Sequence, residues 1–124
     1  MLMGEEITER ILAAAIEVHR ELGPGLLESV YEDCLCRELA FRGIEFERQK
    51  ELPVIYKGIA IDGRFRLDLL VGGSIVLELK SVERLEKVHE AQLLTYLRMS
   101  GHRIGLLLNF NVAVLRNGIR RMVL

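Results

Sequence analysis

Two acidic side chains and a lysine lie in stretches of the sequence that are otherwise strongly apolar. Asp68 lies in RFRLDLLV (residues 64–71), and Glu78 and Lys80 lie in SIVLELKSV (residues 74–82). So many aliphatic residues are typical of a buried strand, where an unpaired charge is costly. Side chains of these types can pair with one another or hold a divalent cation.

The glycines between these two stretches predict how the strands pair. A three-residue loop over 72–74, with a glycine in the left-handed conformation, sorts apolar and charged side chains onto opposite faces. The pairs on the apolar face are Val71 with Ile75, Leu69 with Leu77, and Leu67 with Leu79. The pairs on the other face are Leu70 with Val76, Asp68 with Glu78, and Arg66 with Lys80.

This register makes Asp68 and Glu78 neighbouring carboxylates, because directly opposed residues have Cβ atoms ~5 Å apart. Like charges at that separation repel, so a positive group must compensate. Lys80 on the same face is one candidate, and a divalent cation with oxygen ligands is the other. The alternative is a solvated set of diagonal ion pairs, each contributing little to stability.

The apolar periodicity predicts the elements that position these residues. Three helices are expected over about residues 5–22, 26–42 and 85–99. The expected strands are IEFERQKELPVIYK (44–57), a separate short KGIAIDG (57–63), RFRLDLLV, SIVLELKSV, RIGLLLNF (103–110) and GIRRMVL (118–124). Pro53 indicates an edge strand or a bulge. This order predicts an α/β fold with a mixed sheet between helices, in one domain over residues 1–124.

The composition excludes several classes of protein. The formal net charge is −1 and the pI is about 6.3, so any nucleic-acid partner must be held by a local patch or through metal ions. No segment approaches the ~20 apolar residues of a membrane span. The N-terminal MLMGEEITER lacks the apolar core of a secretory signal, and a cytoplasmic location without membrane contact is expected.

Three motifs in the same chain resemble one family. Asp68 followed by Glu78-Leu79-Lys80 resembles the core motif of the PD-(D/E)xK nuclease superfamily. Gln92 and Tyr96 resemble the Q-x-x-x-Y helix motif of its RecB-like branch. GLLESVY (residues 25–31) is similar to the signature of the small GxxExxY protein family. The resemblance runs from AAAIEVHRELGPGLLESVYE to GLLLNFNV, which is nearly the whole chain.

The resemblance implies a restriction-endonuclease-like core and a phosphodiester-cleaving site that uses Mg²⁺ or Mn²⁺. Asp68 and Glu78 would hold the metal, which would polarise the phosphate and lower the pKa of a bound water. Lys80 would position that water or stabilise the transition state. Glu28 would complete the metal shell; otherwise it is a glutamate favoured by the helix dipole. Leu67 departs from the family pattern, since it stands where the superfamily name has a proline.

The remaining candidates have a functional and a structural interpretation each. Gln92 and Tyr96, one turn apart on the third helix, would face the carboxylates with catalytic roles, or form a polar seam on a half-exposed helix. Tyr31 would contact substrate or simply pack. Arg66 would meet phosphates or serve solubility, and His89 would touch substrate or lie at the surface.

The leading hypothesis is a metal-dependent nuclease acting on nucleic acid, with DNA favoured over RNA. The alternative is a catalytically inactive module that keeps the nuclease fold and binds nucleic acid or protein. A third interpretation is a small structural homodimer in which GIRRMVL packs against its counterpart. The presence of Asp68, Glu78, Lys80 and Gln92 together argues against an inactive module, because a decayed site commonly loses a ligand.

Overall fold

The computed structural model describes residues 5–124, apart from the side chains of residues 63 and 64. The helices in this part of the chain are α1 (Glu5–Leu22), α2 (Glu28–Phe41) and α3 (Lys87–Ser100). The strands are β1 (Phe46–Tyr56), β2 (Ile59–Val71), β3 (Ile75–Lys80), β4 (Ile104–Asn109) and β5 (Ile119–Val123). A short 3₁₀ turn, Leu115–Gly118, precedes β5. The bounds of α1 agree with the sequence prediction, while α2 and α3 each begin about two residues later than expected.

The β1–β2 hairpin differs from the prediction of a separate short strand, KGIAIDG, which was wrong. Lys57 and Gly58 both have positive φ, at 49° and 81°, and form a two-residue turn that pairs Tyr56 directly with Ile59. The chain then continues as one strand to Val71. The edge strand and bulge predicted from Pro53 are confirmed, since β1 lies at the sheet edge and its register shifts there.

The five strands form one mixed sheet in the order β1-β2-β3-β4-β5. Only β3 and β4 run parallel among the described pairs, and α3 makes the crossover between them. The larger apolar cluster packs α1 and α2 against one face of the sheet, and the smaller one packs α3 against the other. This confirms the predicted α/β architecture, a mixed sheet flanked by helices.

The predicted β2–β3 register is confirmed near the loop but fails beyond it. Three pairs form as expected: Leu69 with Leu77, Leu70 with Val76, and Val71 with Ile75. Gly72 and Gly73 both have positive φ, in agreement with the left-handed loop. The predicted pairs beyond Leu69 do not form as strand pairs: Leu67 with Leu79, Asp68 with Glu78, and Arg66 with Lys80.

The predicted pairing fails because the side chains of Leu67 and Leu69 in β2 point to opposite faces of the sheet. Leu69 packs in the cluster under α1 and α2, whereas Leu67 packs in the cluster under α3. Strict alternation would have put both on one face. The change falls at the rung where Gln49 of β1 has a positive φ of 51°. The regular pairing between β2 and β3 therefore ends at Asp68.

No helix in residues 5–124 is both long enough and apolar enough to cross a membrane.

Candidate active site

Asp68 lies where β2 separates from β3. Its side chain there takes the place of a β2 backbone carbonyl as the acceptor for a β3 backbone N–H. Its Oδ2 accepts the backbone N–H of Leu79 at 2.8 Å. The side chain is half-buried, so this carboxylate is fixed at the opening between the two strands. The failed strand pairing thus places Asp68 beside the end of β3 by a different geometry from the one predicted.

Glu78 is the most unusual ionisable group of the site. The residue is only 4% exposed, and its Oε1 is buried with no hydrogen-bond partner in the described structure. Burial, then the charge of Asp68 and a hydrogen bond with it, raises the pKa of Glu78 to about 10. The nearby charge of Lys80 acts in the opposite direction but does not offset this. Without a bound cation, Glu78 therefore keeps its proton at neutral pH.

The donor set of this pair fits a divalent cation. Asp68 and Glu78 offer carboxyl oxygens that are close enough to influence each other's charge, and Glu78 has an orphaned oxygen whose burial is costly. Hard cations prefer oxygen ligands of this kind. No group of three His, Cys, Asp or Glu side chains that could hold a metal occurs among the described residues. The structure brings together a pair of acids, with Glu28 farther away.

Lys80 follows Glu78 by two residues at the end of β3. Its Nζ lies 3.5 Å from Oε1 of Gln92, at the outer limit of a hydrogen bond. No ion pair in the described part of the chain includes Lys80. The ammonium group is thus close enough to influence Glu78 electrostatically yet has no carboxylate within 4 Å, which leaves it available to an anionic ligand.

Glu28 is the first residue of α2 and is exposed. Partial burial of its carboxyl group, and then the charge of Asp68, raises the pKa of Glu28, while Lys80 lowers it. The backbone N–H groups at this helix end favour a negative charge. Glu28 therefore shares the electrostatic field of the site without direct contact with the acidic pair.

Gln92 and Tyr96 of α3 lie on the same face of the sheet as the Glu78 side chain, because Leu77 and Leu79 on either side of Glu78 both pack on the opposite face, under α1 and α2. Desolvation, followed by the charges of Glu78 and Asp68, raises the pKa of Tyr96, while a hydrogen bond with Gln92 opposes that rise. The Tyr96 ring meets Phe65 of β2 edge-on, with centroids 5.6 Å apart. These two side chains thus complete a polar surface next to the acidic pair.

Tyr31 lies away from any ligand-accessible surface in this structure. Its side chain is fully buried and stacks on Phe110 with ring centroids 4.6 Å apart. The hydroxyl donates to the carbonyl of Gly23 at 2.5 Å and accepts the N–H of Leu26 at 3.1 Å. Tyr31 therefore holds the loop that leads into Glu28.

His89 and Arg66 also have partners within the protein. Nδ1 of His89 accepts the N–H of Glu86 at 2.8 Å in a capping box at the start of α3. Arg66 is exposed and forms an ion pair with Glu51 at 3.2 Å. The structure brings neither of them into contact with the acidic pair.

Sequence reasoning missed one polar cluster altogether: Glu32, Arg48 and Gln49. Glu32 is buried at 7% exposure and binds both other side chains. Its spacing of four residues after Glu28 places it on the same side of α2, and this was the available signal. A glutamate on an amphipathic helix is ordinarily exposed, so the signal was weak.

The raised pKa of Glu78 makes the metal-free protein sensitive to pH. In the unfolded chain the carboxyl group titrates near 4.5, so between that pH and about 10 the folded state holds one more proton. The free energy of unfolding therefore falls as pH rises, by at most ~1.4 kcal/mol per pH unit. We expect urea denaturation at pH 6 and pH 9, with chelator present, to show a smaller loss for Glu78→Gln than for wild type. Parallel losses in both proteins would contradict the assigned protonation.

Comparison with known proteins adds one finding. The family model of the PD-(D/E)XK nuclease superfamily matches residues 5–122. No curated protein and no solved structure matches the chain significantly.

Proposed function

Because the chain belongs to the PD-(D/E)XK nuclease superfamily, we propose that it hydrolyses phosphodiester bonds of nucleic acid, with DNA favoured over RNA. The mixed sheet and its three helices are consistent with the restriction-endonuclease-like fold of that superfamily. Nucleases of this superfamily generally use divalent metal ions. The observation that most supports the proposal is the buried, unpartnered Oε1 of Glu78 beside Asp68.

In this proposal Asp68 and Glu78 hold Mg²⁺ or Mn²⁺, and Glu28 supplies a further oxygen. The cation supplies Lewis-acid chemistry, which polarises a phosphate and makes a water more acidic. Asp68 keeps its orientation through the N–H of Leu79. Glu78 would bind the cation as a carboxylate, with its proton released to solvent, since the orphaned oxygen would then have a positive partner.

Lys80 stabilises the negative charge that develops on the phosphate, because it has no carboxylate within 4 Å to neutralise it. Gln92 orients the ammonium group through its Oε1. Tyr96 hydrogen-bonds Gln92 and excludes water from one side of Glu78. The catalytic set we propose is therefore Asp68, Glu78, Lys80, Gln92 and Tyr96.

The substrate-binding residues follow from what remains accessible. Arg66 is exposed and can exchange Glu51 for a phosphate, and Nε2 of His89 is not used in the capping box. For Tyr31 we propose a positioning role through the loop before Glu28, because its hydroxyl already has two partners.

The proposal also covers the subfamily, the extent of the domain, the oligomeric state and the cellular location of the protein. The GLLESVY segment and the Gln92–Tyr96 spacing support membership of the GxxExxY family and the RecB-like branch. We further propose one nuclease-like domain over residues 1–124, a homodimer and a cytoplasmic location.

The proposed activity is tested by incubating labelled single- and double-stranded DNA and RNA with the protein and Mn²⁺. We expect cleavage by wild type and loss of cleavage in Glu78→Gln, with double-stranded or single-stranded DNA cleaved faster than RNA. Glu83→Gln, an exposed glutamate in the loop after β3, serves as the matched control and keeps full activity. Binding without cleavage by wild type would favour the inactive module instead.

A further inference from the structure

A buried carboxylate on α2 joins this helix to β1. Oε2 of Glu32 accepts Nε of Arg48 at 2.7 Å, and Oε1 accepts Nε2 of Gln49 at 2.8 Å. Arg48 also binds Asp33, the next residue of α2. Both oxygens of Glu32 are therefore used, as a carboxylate at 7% exposure requires.

Gln49 has a backbone conformation that a mid-strand residue rarely adopts. Its φ of 51° is positive, and besides Lys57 it is the only non-glycine residue of this kind in the described chain. Lys57 is explained by the two-residue hairpin turn that it forms with Gly58. Gln49 lies in no turn, so surrounding contacts must hold it, and its side-chain bond to Glu32 is one of them.

The strained rung lies directly across from the first acid of the site. Arg48 pairs with Leu69 and Lys50 pairs with Leu67, so Gln49 is opposite Asp68 in the β1–β2 ladder. At this rung the regular pairing of β1 with β2 is interrupted, and the side chains of β2 on either side of it point to opposite faces of the sheet. Asp68, at this same rung, is the residue whose carboxylate accepts the N–H of Leu79.

We propose that Glu32, Arg48 and Gln49 form a positioning network that fixes the orientation of Asp68 through the Gln49 rung. The importance of this network for metal affinity rests on the proposed function. The effect on Asp68 itself does not, because the Leu79 N–H reports the carboxylate position without any metal. A network that merely fastened α2 to β1 would change stability and leave that N–H unaffected.

Two variants separate these possibilities. In Glu32→Gln the amide keeps one acceptor oxygen for two donors, so either Arg48 or Gln49 loses its partner. In Gln49→Gly the backbone adopts φ of 51° without strain while the link to Glu32 is removed, so folding is retained. Glu38→Gln is the matched control, because it removes a comparable ion pair, Arg42 with Glu38 at 2.7 Å, from the same helix.

The measurements are amide hydrogen exchange by NMR without metal and Mn²⁺ affinity by calorimetry. We expect Leu79 to exchange at least about tenfold faster in Glu32→Gln and Gln49→Gly, relative to Leu107 of β4 in the same sample. We expect the Mn²⁺ dissociation constant to rise about tenfold in both, as for other residues that orient metal ligands. Glu38→Gln changes neither quantity.

Each outcome has a definite consequence. Folded variants with wild-type exchange at Leu79 overturn the positioning role, whatever happens to their melting temperatures. If Leu79 exchanges faster in the variants but the wild-type protein binds no Mn²⁺, the positioning of Asp68 is supported and the proposed function is overturned. If Glu32→Gln does not fold, the Gln49→Gly result decides alone.

Discussion

Replacing Lys80 with alanine is expected to lower the rate of nucleic-acid cleavage by about 10²–10³-fold while changing Mn²⁺ affinity by less than about threefold. The reason is the environment of the ammonium group. It lies near Glu78 and Gln92 but forms no ion pair in the described part of the chain, so its charge is available to the phosphate. Its loss removes transition-state stabilisation and leaves the acidic pair in place.

The measurement combines single-turnover cleavage of a labelled substrate with calorimetric Mn²⁺ titration of the same protein. Lys87→Ala is the matched control, because Lys87 is an exposed lysine at the start of α3 and takes no part in the proposed site. Wild-type cleavage by Lys80→Ala would refute the electrostatic role. Loss of Mn²⁺ binding in that variant would show that Lys80 instead maintains the structure of the metal site.

Asp68→Asn is expected to abolish stabilisation of the protein by Mn²⁺. In wild type, a cation that binds only the folded state at 100 times its dissociation constant adds ~2.7 kcal/mol, which raises the melting temperature by several degrees. The amide of asparagine still offers an oxygen to the N–H of Leu79, so the fold is retained, but the charge that attracts the cation is lost.

Thermal denaturation with and without Mn²⁺ measures this directly. Asp62→Asn is the matched control, because Asp62 is an exposed aspartate in the same strand, β2, and its variant keeps the full Mn²⁺ shift. An equal shift in Asp68→Asn and wild type would place the cation elsewhere. A shift of zero in wild type would remove the basis for a metal site.

The part of the fold that follows from apolar periodicity could be predicted from the sequence. The 3.6-residue spacing of Ile11, Ala15 and Val18 predicted α1, and the structure buries that stripe. The two glycines after Val71 gave the β2–β3 loop, because both adopt positive φ. These features depend on hydrophobic spacing and on the backbone freedom of glycine, and both can be read from the residue types alone.

The geometry of the site could not be predicted in the same way. Strict alternation along β2 paired Asp68 with Glu78, whereas the strands part there and Asp68 binds the N–H of Leu79. The change coincides with a positive φ at Gln49, a residue type that gives no sign of such a conformation, and the Gln49 side chain binds the distant Glu32. Such a conformation depends on tertiary contacts, so alternation alone misses it.

The accessibility of single side chains was the other limit. The motif placed Tyr31 one turn after Glu28, but the ring turns inward onto Phe110 and its hydroxyl binds the preceding loop. Conversely, Asp68 and Glu78 were recognisable from the sequence, because charged residues within apolar strands are uncommon and call for a partner. The types of the chemical groups were thus readable from the sequence, and their surroundings were not.

That Asp68 and Glu78 together hold one divalent cation is tested most directly by counting the protons released when Mn²⁺ binds at pH 7. Calorimetric titration in two buffers with different ionisation enthalpies gives this number. With a pKa of about 10, Glu78 carries a proton that the cation must displace, so we expect release of about one proton per Mn²⁺ in wild type. Binding of Mn²⁺ with no proton release, or with equal affinity in Glu78→Gln, would contradict it.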